Sequence, residues 1–274
     1  GPAVPVVDGV RRSGMTGAAH FAVSEAGSLV YVPGPTGALG SRVDIVIADR
    51  AGSVERLALP TGGYEVPRVS PDGTRIAFGS SGVDQNIWIY DLAGTTAIRR
   101  LTFGGRNRFP VWSADGQRVA FQSDREGDVA IFWQAVDGSG TAERLTKPAP
   151  ETSHVPDAWS PKNDRLLFSV VAGPRLALWS LSLQDRRIEP FGEIEAGNPI
   201  GAAFSPDGQW VAYRVEDGIY VEPVPLTGAK YQISKEGHHM VWSRDGKEIF
   251  YLPGGVGRLS SVPVSLQPGF SLGS

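Results

Sequence analysis

The chain has 274 residues with 26 basic and 29 acidic side chains, a formal charge of −3 that gives no electrostatic reason to expect a nucleic-acid backbone or an anionic membrane surface as partner. It has no cysteine, which excludes disulfides and thiolate metal sites and leaves the compartment unreadable from redox chemistry. Its 35 Gly and 21 Pro suit many short strands punctuated by turns, and no stretch approaches the roughly 18 apolar residues of a membrane-spanning helix.

The chain opens Gly1-Pro2 without an initiator Met or a signal peptide, so it is expected to be a segment of something longer. Ala3 to Val7 is a short apolar run beside Pro2 and interrupted by Pro5, acceptable as an edge strand but not as a central one. A hairpin pattern then recurs six times. It is degenerate at Val23 to Tyr31, where the turn reads Ser24-Glu25-Ala26-Gly27, and regular at Val69 to Phe78 (VSPDGTRIAF) and Val111 to Phe121 (VWSADGQRVAF). At Trp159 to Phe168 the turn, Ser160 to Asp164, is one residue longer, with Asn163 as the expected positive-φ residue. Phe204 to Tyr213 (FSPDGQWVAY) and Trp242 to Tyr251 (WSRDGKEIFY) complete the set. Ser at the first turn position and Asp at the third cap the turn's amides, while Gly at the fourth accepts positive φ.

The leading serines stand at 24, 70, 113, 160, 205 and 243, giving intervals of 46, 43, 47, 45 and 38 residues. A period of roughly 40 to 45 residues in an all-β chain marks one four-stranded propeller blade per repeat. Third strands are expected at Asp44 to Ala48, Asn86 to Asp91, Ala130 to Val136, Leu176 to Leu183 and Gly218 to Val224, with Trp88, Trp133, Trp179 and Tyr220 packing between blades. Short charged fourth strands follow, such as Arg99 to Thr102 and Glu143 to Thr146, as outer edges should be.

After the sixth hairpin Arg258 to Val264 supplies a third strand, and Leu266 to Ser274 offers no convincing fourth. That deficit matches the unpartnered Ala3 to Val7, so the N-terminal strand is expected to complete the last blade and close the ring. The expected architecture is therefore an all-β, six-bladed propeller of four-stranded antiparallel blades. It is expected to form a single domain over 1–274, with hairpins near 19–32, 66–79, 109–122, 155–169, 200–214 and 239–252, and to be a monomer.

The SPDG turns, flanked by an aromatic residue and by I-A-F or V-A-Y, with a third strand running I-W-I-Y-D-L, resemble the repeats of the TolB-type six-bladed propeller across nearly the whole chain. More narrowly, AVPVVDGV, AHFAVSEAGSLVYVPG and GRLSSVPVSLQPGFSLGS resemble the propeller that follows the kinase domain and membrane span in some bacterial serine/threonine protein kinases. The narrower resemblance implies an extracytoplasmic or periplasmic sensor or scaffold within a larger membrane-anchored protein, with kinase chemistry upstream of Gly1. Similar propellers bind partner proteins in TolB or gate peptide access in tricorn and prolyl-oligopeptidase-like enzymes, so the resemblance does not define a ligand.

No nucleophile elbow, phosphate loop or HExxH motif is present: Gly79-Ser80-Ser81-Gly82 lacks the G-x-S-x-G spacing, and Gly34 to Gly40 lacks a strand-to-helix context. Asp124-Arg125-Glu126-Gly127-Asp128 offers oxygen ligands at close spacing, yet it does not complete a calcium loop and reads as turn chemistry. The four histidines are more informative, because each lies just before a turn serine. In a propeller that is where an innermost strand begins, at one mouth of the central channel, so repeat geometry should bring distant residues together.

The expected ligand-binding mouth is lined by His20, Glu65, Arg68, Arg108, His154, Asp157, Asn198, His238 and His239. No catalytic residue or cofactor is assigned. His20, His154 and His239 are the candidates for a channel metal. Three functions stay open: a non-catalytic module recognising a protein, peptide or small ligand at the mouth, a propeller hydrolase or lyase with a metal in the central channel, or a structural spacer.

Overall fold

A computed structural model of the chain describes residues 3–11, 21–23, 29–34, 42–49, 53–82, 84–94, 96–216, 218–253, 258–266 and 269–273. After β1 (Val4–Val7) the strands fall into six antiparallel sheets. Blade 1 holds β2 (Phe21–Val23), β3 (Leu29–Tyr31), β4 (Val46–Ala48) and β5 (Val54–Arg56). Blade 2 holds β6 (Tyr64–Val69), β7 (Arg75–Ser80), β8 (Ile87–Asp91) and β9 (Arg99–Arg100). Blade 3 holds β10 (Asn107–Trp112), β11 (Arg118–Ser123), β12 (Ala130–Ala135) and β13 (Glu143–Arg144). Blade 4 holds β14 (Thr152–Trp159), β15 (Arg165–Ala172), β16 (Arg175–Ser182) and β17 (Ile188–Ala196). Blade 5 holds β18 (Ala203–Phe204), β19 (Trp210–Val215), β20 (Gly218–Pro223) and β21 (Tyr231–Ser234). Blade 6 holds β22 (His238–Trp242), β23 (Glu248–Leu252) and β24 (Leu259–Ser265), with the short β25 (Ser271–Leu272).

Each described turn is held by bonds spanning only five residues. The Ser70 hydroxyl donates to Asp72 and accepts from the Arg75 amide (2.9 Å), while Asp72 also accepts from the Thr74 amide (3.0 Å). Ser113/Asp115, Ser205/Asp207 and Ser243/Asp245 repeat the arrangement. In blade 4 Asp164 takes the acid's place, and Asn163 carries the positive φ, 57°. Asn163 has a second use: its Oδ1 accepts the Ala114 amide of the preceding blade at 2.8 Å, where three other turns have a proline and hence no N–H to satisfy.

The second strand of each blade has a continuous apolar middle because both of its faces are covered there. Ile76 and Phe78 pack into the cluster shared with blade 1, while Ala77 between them packs into the cluster shared with blade 3. Six such clusters exist, one at each blade interface, including that between blades 6 and 1. Trp133 is buried in its cluster, stacked on Trp159 at 5.6 Å, whereas Trp88, Trp179 and Tyr220 are half-buried at cluster margins. Indole N–H groups tie neighbouring blades as well, Trp112 to the Arg68 carbonyl (2.8 Å) and Trp242 to that of Ala203 (3.1 Å).

Innermost strands β2, β6, β10, β14, β18 and β22 each contact the next, and β22 contacts β2, so the ring is closed. β1 pairs antiparallel with β24, placing Val4 opposite Ser261 and Val7 opposite Leu259, which completes the last blade from the N-terminal side as expected. The C-terminal side differs from expectation. Ser271–Leu272 pairs with Val264 and Ser265 further along the same edge of β24, so both chain segments share the outer position. No helix is long and apolar enough to cross a membrane among the described residues.

Candidate functional site at the channel mouth

Four of the innermost strands, β6, β10, β14 and β22, carry a β-bulge four to three residues before the turn serine. Register slips between Glu65 and Arg68, Arg108 and Val111, Pro156 and Ala158, and His238 and Val241. At the bulge Val66, Phe109 and His239 adopt positive φ of 48°, 55° and 58°, and Gly201, at the equivalent position before Ser205, one of 59°. For a β-branched valine this is an outlier held by the surrounding ladder. Such bulges re-aim side chains and occur often beside functional sites. Sequence reasoning missed them, although the signal was present: Pro67 and Pro110 interrupt strands just where a bulge residue needs no ladder N–H.

The bulges bring part of the expected set together. Glu65 of blade 2 is buried and pairs with Arg108 Nη2 of blade 3 at 3.3 Å. Arg108 Nε is buried and donates to nothing among the described residues. His238 and His239 meet edge to face, with Nδ1 atoms 2.7 Å apart in a hydrogen bond.

Deeper along the innermost strands are Arg68 and Asp157. Arg68 Nη1 donates to the carbonyls of Pro67 (3.2 Å) and Phe21 (3.4 Å), reaching blade 1 from blade 2. Asp157 accepts from Ser169 Oγ at 2.7 Å, and the amides of Gly201 and Ala202 in blade 5 act on its carboxylate electrostatically. Both side chains touch solvent yet are enclosed by protein, as on the wall of a narrow channel. Burial pushes Asp157 up to about 7, against the opposing pull of Ser169, Arg68 and the two amides. Burial likewise lowers Arg68 to about 10, with Asp157 opposing.

Other expected members lie elsewhere. His154 is a correction: it is 5% exposed, its ring is 4.9 Å from Phe168, and its Nδ1 has no partner among the described residues. It stands one register position before the Glu65 and Arg108 places, at the equivalent of fully buried Asn107, so strand alternation turns it into the blade interface. Burial lowers its pKa to about 4, with Asp128 opposing and Arg144 adding to the fall. Asn198 is exposed in a bend outside the strands. His20 and the Ser24 turn lie outside the described residues, as does most of Gly34 to Gly40.

The oxygen-rich loop of blade 3 is occupied by guanidinium groups. Arg106 donates to Asp124 (2.7 Å), and Arg144 bridges Glu126 (2.9 Å) and Asp128. Among the described residues no group of three His, Asp or Glu side chains is arranged to hold a metal ion.

No family model matches the chain. It is 40% identical over 187 residues to the Tol-Pal system protein TolB of Anaeromyxobacter sp. (strain K), a match covering 59% of this chain and 43% of that protein. Over 194 residues it is 29% identical to the uncharacterized peptidase YuxL of Bacillus subtilis, covering 68% of this chain and 28% of the relative. Among solved structures, a putative TolB from Agrobacterium tumefaciens superposes with a TM-score of 0.67 at 19% identity, over 85% of this chain and 90% of that one.

The fold is that of a TolB-like six-bladed β-propeller. A gluconolactonase from Xanthomonas campestris superposes equally well, with a TM-score of 0.67 at 19% identity over 96% and 97% of the two chains, so likeness at this level defines architecture and not activity. The propeller spans less than half the length of the two curated relatives named here.

Proposed function

We propose that residues 1–274 form a single, non-catalytic recognition propeller that receives a protein, peptide or small ligand at the mouth built from Glu65, Arg108, His238 and His239. We place it in the extracytoplasmic or periplasmic part of a larger signalling protein, such as a membrane-anchored serine/threonine kinase. One observation carries the reading: bulges interrupt the innermost strands of separate blades at the repeat position that holds Glu65, Arg108, His238 and His239, and Glu65 and Arg108 pair across two blades there. Convergent polar groups over a concavity are where a ligand is surrounded.

Selection of short peptides from a displayed library on the propeller tests it. Binders are expected to weaken by tenfold or more against the Glu65→Ala/Arg108→Ala double variant, whose substitutions remove both members of the pair and leave no buried charge alone. Binders that hold the variant normally would place recognition elsewhere.

The alternative is a propeller hydrolase or lyase with a metal in the channel, and it draws on the likeness to a gluconolactonase. Elemental analysis of tag-free protein separates the two. The recognition reading expects no stoichiometric zinc, manganese or calcium, and one bound metal per chain lost on replacing His239 would overturn it.

A further inference from the structure

Arg68 is a cation on the channel wall that, among the described residues, makes no ion pair and donates to the carbonyls of Phe21 and Pro67. Asp157 comes from a blade two positions round the ring, and its carboxylate is turned toward Ser169, Gly201 and Ala202. The two act on one another electrostatically without closing to an ion pair. Each is instead displaced toward its neutral form by the shortage of water around it. An enclosed guanidinium of this kind lacks a counter-charge, and its planar fork matches a carboxylate.

We propose that Arg68 and Asp157 form a carboxylate-binding subsite inside the channel, filled by the carboxylate of a ligand that enters past Glu65 and Arg108. The inference rests on the mouth being the recognition surface and adds the chemical class of what it takes. Arg68 supplies charge and N–H donors. Asp157, when protonated, donates its O–H to the incoming carboxylate; when ionised, it repels it.

The groups around Asp157 are Ser169 of β15, the Gly201 and Ala202 amides before β18, and Arg68 of β6. With Asp157 half-ionised near pH 7, the binding-competent fraction falls about tenfold between pH 6 and pH 8, and apparent affinity falls with it.

The source of the carboxylate, a peptide C-terminus or a small sugar acid, is read by titrating the propeller with tri-alanine, tri-alanine carboxamide and glucuronate at pH 6 and pH 8. At least one of the two acids is expected to bind at pH 6, to weaken about tenfold at pH 8, and to exceed the carboxamide by tenfold or more. Arg68→Gln should abolish this binding. Asp157→Asn, which keeps a neutral donor, should bind at pH 6 and lose the pH dependence. Arg68→Lys, which keeps the charge without the fork, should bind measurably more weakly than the parent and covers the case in which Arg68→Gln fails to fold.

Failure of both acids to bind, equal binding of acid and carboxamide, or full binding by a folded Arg68 variant would overturn the subsite. Library peptides that are lost with Glu65→Ala/Arg108→Ala but indifferent to Arg68→Gln would sink this inference and leave the mouth reading standing. Indifference to both would remove the two together.

Discussion

Deleting residues 1–8 lowers the melting temperature of the propeller by about 10 °C. β1 is the only described strand along the Leu259 to Ser261 part of the outer edge of β24, and Val6 and Val7 pack against the cluster between blades 6 and 1. Losing some three or four ladder bonds at about 1 kcal/mol each, together with that partial burial, removes on the order of 4 kcal/mol. A chain of this size loses roughly 2–4 °C per kcal/mol. The exposed Asp8–Arg258 pair adds little. β25 covers only Val264 and Ser265, so it leaves the deletion uncompensated. An unchanged melting temperature would show that the N-terminal strand is dispensable for closure.

Acid titration of stability gives the second large effect, and its sign differs between two residues. His154 is depressed to about 4 in the folded chain against about 6.5 unfolded. Its stabilising contribution is therefore present above pH 6.5 and lost as pH falls through 4. Asp157 is raised to about 7, so its contribution is complete below about pH 3.8 and lost as pH rises through 7. The shifts correspond to roughly 3 kcal/mol for His154 and roughly 4 kcal/mol for Asp157, and between pH 4 and 7 the two slopes oppose each other.

The parent is thus expected to vary little over that window, and single substitutions uncover the halves. His154→Leu removes an unpartnered Nδ1 and keeps an apolar filling against Phe168, and this variant should gain stability over the parent as pH falls from 6.5 to 4. Asp157→Asn should lose stability relative to the parent as pH falls from 7 to 4. Urea unfolding at pH 4, 5, 6 and 7 reads both differences. The turn carboxylates Asp72 and Asp115, held low by serine hydroxyls and amides against the cost of burial, act mainly below this window. Flat difference curves would show that neither group is as enclosed as the structure places it.

What could be read from the residues alone was whatever is settled over short distances or by simple counting. The Ser-x-Asp-Gly turns close through bonds within five residues, so their chemistry is written locally, as is the positive φ of Asn163. Strands covered on both faces must be continuously apolar, which is why I-A-F and V-A-Y announce blades. The match between an unpartnered Ala3 to Val7 and a last blade short of a strand followed from counting. The two-residue strand Ser271–Leu272 could not be found that way, because it is too short to carry a periodicity.

The mouth was only partly legible for a different reason. A bulge shifts register, and a one-residue shift decides whether a side chain faces the channel or the blade interface. Counting back from a serine puts Glu65 and Arg108 at one repeat position, where they pair, but cannot tell that His154 is turned into the blade interface. Local preference disfavours positive φ at Val66 and Phe109; the ladders on either side impose it. Asp157 meets the Gly201 and Ala202 amides, and faces Arg68 from 89 positions earlier, only because the blades close into a ring. Their burial, and with it the displaced ionisation of both, is a property of that enclosure, since desolvation depends on what surrounds a group in space and not on its neighbours along the chain.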